Sequence, residues 1–143
     1  MMGEKKRVLV IGDRRVPVPA VKRILQEHNY EVFSTSNGEE ALKTAQEIKP
    51  DVIILDSIMP GLDGYQVSRD LKQNNQTTEI PIIFMSGQDN NCDRKHNDAD
   101  GLHEINLAFK CGANDFLPKP VKAEDLVRSV RNTLWFADIT SLQ

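Results

Sequence analysis

The chain has 143 residues and carries 18 Lys+Arg against 21 Asp+Glu. The formal charge of −3 gives no reason to expect nucleic acid as a partner. With 39% apolar and 27% charged residues, the composition is that of one globular domain, long enough to bury roughly two thirds of its unfolded surface.

The longest aliphatic runs, Val8 to Ile11 and Val52 to Leu55, hold four residues each, against the ~20 needed to span a bilayer. The start, MMGEKKRV, has no signal-peptide core or cleavage site, so the expected location is cytoplasmic, with no membrane association. Cys92 and Cys111 have no CxxC spacing and read as free thiols rather than a disulfide framework or zinc site.

In chain order, Val8 to Ile11 lacks polar alternation, as expected of a strand buried on both faces of a parallel sheet. Pro17 and Pro19 follow, and proline is tolerated only in a helix's first turn. The first helix should therefore begin near Pro19, leaving Arg14-Arg15-Val16 as a loop, and it continues through Val21, Ile24, Leu25 and His28 at helical spacing. Glu31 to Thr35, between Asn29 and the turn signal Asn37-Gly38, predicts a second strand. Ala41, Leu42, Ala45 and Ile48 form a helical stripe closed by Pro50.

Val52 to Leu55 and Ile80 to Met85 predict the third and fourth strands, with a helix marked by Val67 and Leu71 between them. Gly87 to Gly101 (GQDNNCDRKHNDADG) is nearly devoid of apolar residues and reads as an inserted polar loop. Leu102, Ile105, Ala108 and Phe109 mark a fourth helix, which Gly112 can cap in a left-handed conformation. Asp115 to Leu117 predicts a fifth strand ahead of the Pro118-Lys119-Pro120 corner, and Leu126, Val127, Val130 and Leu134 the last helix. A short C-terminal tail is expected from about residue 136.

Strand and helix thus alternate five times, which argues a single domain over residues 1–143: a doubly wound α/β/α sandwich with ligands beyond the strands' C-terminal ends. The residues following the strands are Gly12-Asp13, Asp56, Ser86-Gly87 and Lys119-Pro120. An acid at one strand end is usually a cap or a solvated loop residue. Two carboxylates, a hydroxyl and an ammonium on one edge suit a nucleophilic carboxylate beside a hard cation, with groups to hold phosphoryl oxygens.

Here the sequence resembles the receiver domain of two-component response regulators over nearly its whole length. The likeness is carried by DVIILDSIMPGLDG (51–64), IPIIFMS (80–86) and GANDFLPKP (112–120). It implies a flavodoxin-like five-stranded parallel sheet of order 2-1-3-4-5 with five helices. It further implies that Asp56 accepts a phosphoryl group from a sensor histidine kinase or phosphotransfer protein. Asp13, Asp56 and the Ile58 backbone carbonyl would bind Mg²⁺, Ser86 and Lys119 would contact phosphoryl oxygens, and Ser86 and Phe116 would act as switch residues. Mg²⁺ and the Lys119 ammonium would offset the repulsion between a carboxylate and an anionic donor. Lys119-Pro120 suggests a tight turn that a cis X-Pro bond would make.

Three departures qualify the likeness. The family usually has two acids after the first strand, and here the first is Gly12, so Mg²⁺ binding should be weakened rather than abolished. Pro17 and Pro19 delay the first helix. Ser86 and Lys119 stand 33 positions apart, more than the family leads one to expect, and the excess lies in the 87–101 insertion. Its DADG does not make an EF-hand: with Gly101 at the sixth position, His96 stands first and Leu107 twelfth, so both terminal acids are missing. Cys92, His96 and His103 match no familiar metal spacing.

The expected function is a phosphorylation-controlled switch of a protein-interaction surface, catalysing only its own aspartyl chemistry, with the output in a downstream target or in a domain outside this sequence. The alternative is an atypical pseudo-receiver acting as a phosphorylation-independent interaction module, which Gly12 and the insertion favour. An aspartyl-nucleophile phosphatase of the haloacid-dehalogenase kind would need an acid two positions after Asp56, where Ile58 stands. No GxGxxG or P-loop follows the first strand.

Overall fold

Five strands form one parallel sheet in the computed structural model, which describes residues 5–12, 18–59, 62–86 and 105–140. They are β1 (Arg7–Ile11), β2 (Glu31–Thr35), β3 (Val52–Asp56), β4 (Ile82–Ser86) and β5 (Asp115–Pro118). Their spatial order is 2-1-3-4-5, with Val8 opposite Val32 and Val52, Ile54 opposite Ile83, and Phe84 opposite Phe116. Five helices accompany them: α1 (Val18–Glu27), α2 (Ala41–Ile48), α3 (Gly64–Lys72), α4 over 105–110, and α5 (Ala123–Thr140). This is the doubly wound flavodoxin-like fold expected from the alternation and the resemblance.

Because every strand is covered on both faces, successive residues serve two cores. Val8, Val10, Val52, Ile54, Ile83 and Met85 pack with Val21 and Leu25 of α1 and with Leu126, Val130 and Leu134 of α5. Leu9, Ile11, Ile53, Leu55 and Phe84 face the other way, onto Ala41 and Ala45 of α2, Val67 and Leu71 of α3 and Ala108 of α4. Each large aliphatic side chain removed from water contributes roughly 1.5–3 kcal/mol, so β3, buried at all five positions, anchors the domain.

Local chemistry sets the element ends. Helix α1 begins at Val18, one residue before Pro19, as the proline pair requires. Asn37 accepts hydrogen bonds from Glu39 N and Glu40 N at 2.9 and 3.3 Å, starting a 3₁₀ turn (Gly38–Glu40) that leads into α2. Lys49 then takes left-handed geometry ahead of Pro50. Asp63 caps α3 by accepting from Tyr65 N at 2.9 Å. Gly112, at φ +108, follows α4 in the region that glycine enters without steric cost, as anticipated.

Two expectations need correction. Strand β4 starts at Ile82 rather than Ile80, because Pro81 has no N–H to give the ladder; its carbonyl still accepts from Ile53 N at 2.9 Å. No tail begins near residue 136. Helix α5 runs on to Thr140, since no Gly or Pro interrupts WFADIT and the Thr140 hydroxyl donates back to the Phe136 and Ala137 carbonyls, both at 3.1 Å. A small antiparallel ribbon, Ile58–Met59 against Leu62–Asp63, is an element that periodicity did not reveal. The 87–101 insertion, Arg14 to Val16, Cys92, His96 and His103 lie outside the described residues.

Candidate functional site

Of the residues expected at the strand ends, the sheet's C-terminal edge brings together Gly12, Asp56, the Ser86 backbone and Lys119. Asp56 closes β3 with 1% of its surface exposed. Lys119 leaves β5 on a cis Lys119–Pro120 peptide and is only 22% exposed at its side chain. Its ammonium donates to Asp56 Oδ1 at 2.8 Å. In a site this dry, such a charge-assisted bond is stronger than its counterpart in water.

The neighbours of Asp56 follow from strand register. Leu55 lies opposite Ile11, which sets Gly12 beside Asp56 on the β1 side. A Cβ built on Gly12 would stand 2.9 Å from the Asp56 Cβ, 3.2 Å from Val18 Cγ2 and 3.5 Å from Asp56 Oδ2. On the β4 side Asp56 pairs with Met85, and the Ser57 N–H donates to the Met85 carbonyl at 3.0 Å. Ser86 ends β4 with its backbone opposite Pro118, so the strand delivers it to the same edge; its side chain lies outside the described part, as does all of Asp13.

Ile58 opens the short ribbon immediately beyond this edge, paired with Asp63. Among the described residues, no group of three or more His, Cys, Asp or Glu is placed to hold a metal. Phe116 is one layer deeper, partly buried against the core between the sheet and α2 to α4.

Residues 8–131 match the family model of the "Response regulator receiver domain". The chain belongs to the response regulator receiver family. It is 30% identical to protein PilH of Pseudomonas aeruginosa, over 90% of this chain and 97% of that protein. It is 32% identical to PhoP of Bacillus subtilis, the alkaline phosphatase synthesis transcriptional regulatory protein, over 95% of this chain and 51% of that one. The receiver therefore spans about half the length of PhoP. Among solved structures, the chemotaxis response regulator CheY4 of Vibrio cholerae superposes with a TM-score of 0.75 at 26% identity, covering 90% of this chain and 98% of CheY4.

Within this receiver, residues to which the sequence reading gave no role of their own also shape the site. Gly64 packs directly onto the Asp56–Ser57 backbone: a Cβ there would lie 2.7 Å from the Asp56 carbonyl oxygen, 2.8 Å from Ser57 Cα and 3.1 Å from the Ser57 oxygen. Its sequence signal is its place at the end of DVIILDSIMPGLDG (51–64), where the closing Asp-Gly pair reads as a turn or helix start. Tyr65 stacks on Phe84 with ring centroids 5.2 Å apart, and Phe84 in turn lies opposite Phe116. A row of three aromatic residues thus runs from the start of α3 to β5.

Farther from the edge, α3 is fastened to the end of α4. The buried Ser68 hydroxyl donates to the Cys111 carbonyl at 2.7 Å, and Arg69 Nη1 lies 3.2 Å from Cys111 Sγ. A groove of about 400 Å³ lined by Glu79, Pro81, Asn114 and Phe136 opens at the opposite end of the sheet, beside the starts of β4 and β5. Among the described residues, no helix is long and apolar enough to cross a membrane.

Proposed function

We propose that this receiver accepts a phosphoryl group on Asp56, supplied by a sensor histidine kinase or phosphotransfer protein, and thereby alters a protein-binding surface. The observation that carries the reading is the Lys119–Asp56 contact, 2.8 Å long, at the end of the most buried strand. It joins a carboxylate that faces the ligand edge of the sheet to a cation suited to an incoming anion.

In the step itself, an Asp56 oxygen bonds to phosphorus as the bond from phosphorus to the donor nitrogen breaks, and that electron pair leaves with the nitrogen. Lys119 neutralises charge on the arriving oxygens. Ser86, one residue past the partner of Asp56 in β4, supplies a hydroxyl to the phosphoryl group. Phe116 responds on β5, next to Phe84. The nearby surface of α4, β5 and α5 then offers a changed face to a downstream protein or output domain.

The donor set suits Mg²⁺, since Asp56, the Ile58 carbonyl and Asp13 offer only hard oxygens. When bound, the ion would supply positive charge beside the nucleophile. Gly12 removes one acid from the set, and the affinity should be modest. Slow hydrolysis of the aspartyl phosphate is expected, because neither Ile58 nor Gln88 offers a carboxylate to orient water.

The whole chain is read as one receiver domain with a polar insertion at 87–101 that tunes partner choice, and as a cytoplasmic signalling module rather than an enzyme acting on other substrates. Gly12 also favours a second reading, in which the module binds its partner without phosphorylation.

Intact mass after incubation with Mg²⁺ and acetyl phosphate separates the two. The proposal expects one added phosphoryl group, absent in Asp56→Asn. An unchanged mass, together with undiminished binding to a partner, would favour the pseudo-receiver.

A further inference from the structure

We infer that Gly64 is a positioning residue for the phosphoryl site, holding the Ile58–Asp63 ribbon against the end of β3 so that the Ile58 carbonyl stays within reach of the ion that Asp56 binds. The inference rests on the phosphoacceptor reading above and deepens it.

The ribbon leaves the sheet at Ser57 and returns at Gly64. Its outgoing end is tied to β4 by the Ser57 N–H, which donates to the Met85 carbonyl at 3.0 Å. Its returning end is set by close packing: Gly64 leaves no room for a Cβ beside the Asp56–Ser57 backbone, and Asp63, paired with Ile58, starts α3 by accepting from Tyr65 N at 2.9 Å. The two ends meet at Asp56 and Ser57.

All three atoms that a Cβ at 64 would strike, at 2.7, 2.8 and 3.1 Å, belong to backbone. Backbone at the end of a fully buried strand cannot swing aside as a side-chain tip can, so the ribbon and the first turn of α3 must move outward. Gly112 makes a useful contrast: the Cβ built there meets the flexible Lys72 stem, at 2.5 Å from Cγ. The Asp56–Lys119 bond joins β3 to the end of β5 and includes none of the atoms that a Cβ at 64 would strike. Substitution at 64 should therefore separate the placement of Ile58 from the carboxylate–ammonium pair.

The test compares wild type, Gly64→Ala and Ser68→Ala in a Mg²⁺ titration followed by amide NMR, alongside labelling by acetyl phosphate. Ser68→Ala removes the buried hydrogen bond from α3 to the Cys111 carbonyl while leaving both ends of the ribbon intact, and it controls for plain loss of stability. Wild type is expected to bind Mg²⁺ and take the phosphoryl group. Gly64→Ala should bind Mg²⁺ at least tenfold more weakly, with resonances of the distant α5 unchanged, while Ser68→Ala keeps an affinity within about threefold of wild type. Equal Mg²⁺ affinity in Gly64→Ala and wild type would overturn the inference and leave the phosphoacceptor reading standing. Failure of wild type to bind Mg²⁺ or take a phosphoryl group would overturn both. If Gly64→Ala does not fold, the wild-type titration still decides: the Gly64 and Tyr65 amides must shift together with those of Asp56 and Ser57, and a Gly64 amide that stays still refutes the role.

Discussion

Gly12 approaches Asp56 so closely that a Cβ at position 12 would stand 2.9 Å from the Asp56 Cβ. The missing acid of this receiver is therefore more than one absent side chain, because the Asp56 and Val18 side chains occupy space that a Cβ at position 12 would need. The obstructing Asp56 atom is one bond from its own backbone and yields little, although Val18 Cγ2, at 3.2 Å, can turn.

Gly12→Asp consequently has two opposed effects. Without metal it crowds Asp56 and sets a second negative charge beside it, and the cost should be about 1–3 kcal/mol. With Mg²⁺ the added oxygen and the relief of repulsion both favour binding. Thermal unfolding should show a lower midpoint than wild type without the ion and a larger Mg²⁺-dependent rise. A rise no larger than that of wild type would mean that the missing acid does not limit metal affinity.

The Lys119–Asp56 pair is a second target. Removing one partner of a buried ion pair costs about 3–5 kcal/mol, but Lys119 keeps 22% side-chain exposure and solvent screens part of the effect. Lys119→Met should destabilise the fold by roughly 1–3 kcal/mol in denaturant titrations, and labelling by acetyl phosphate should be lost. In an Asp56→Asn background the same change should cost much less, because no buried charge then needs the ammonium. A double-mutant cycle with coupling near zero would show that the 2.8 Å contact is energetically idle.

Much of this arrangement was legible in the sequence because burial on both faces leaves a plain mark. The unbroken Val52 to Leu55 run ends at Asp56, and the strand-end positions of Asp56, Ser86 and Lys119 followed from alternation alone. The Ile58–Asp63 ribbon was not legible: two-residue strands carry no periodicity, and a close approach such as that of Gly64 depends on the spatial return of the chain. The early end expected for α5 failed for another reason. After Leu134 the next positions of the apolar stripe hold Ala137 and Asp138, and Trp135 and Phe136 are exposed, at 64% and 62%, so the stripe stops without stopping the helix, whose backbone bonds need no buried face to continue. Phe84 was visible as a core residue, but its stacking on Tyr65 requires the register of β4 against α3.

The junction of α3 and α4 offers a test of packing away from the site. Ser68 is fully buried and its hydroxyl donates to the Cys111 carbonyl at 2.7 Å. Ser68→Ala leaves that acceptor short of a donor, at about 1–2 kcal/mol. Acetyl phosphate labelling should persist, since neither residue touches Asp56. A stability loss below a few tenths of a kcal/mol would mean that water replaces the hydroxyl.

Lys72 supplies a pH-dependent signature. Its ammonium donates to the Thr78 and Ile80 carbonyls at 3.2 and 2.7 Å, closing the turn between α3 and β4. Burial lowers its pKa from the ordinary 10.5, opposed by the negative charge of Glu79. Between the lowered folded value and 10.5, the unfolded chain holds more protons at this position than the folded one. Stability therefore rises with pH across that window. The penalty for burying the charge is fully present below the folded value and is gone above 10.5. The neutral amine still has hydrogens for both carbonyls, so deprotonation relieves desolvation without breaking the turn. Denaturant titrations of wild type and Lys72→Met from neutral pH upward should show the difference shifting in favour of wild type as pH approaches 10.5. A difference that stays flat, or that shifts toward Lys72→Met, would show that the ammonium remains effectively solvated and that burial does not govern its titration.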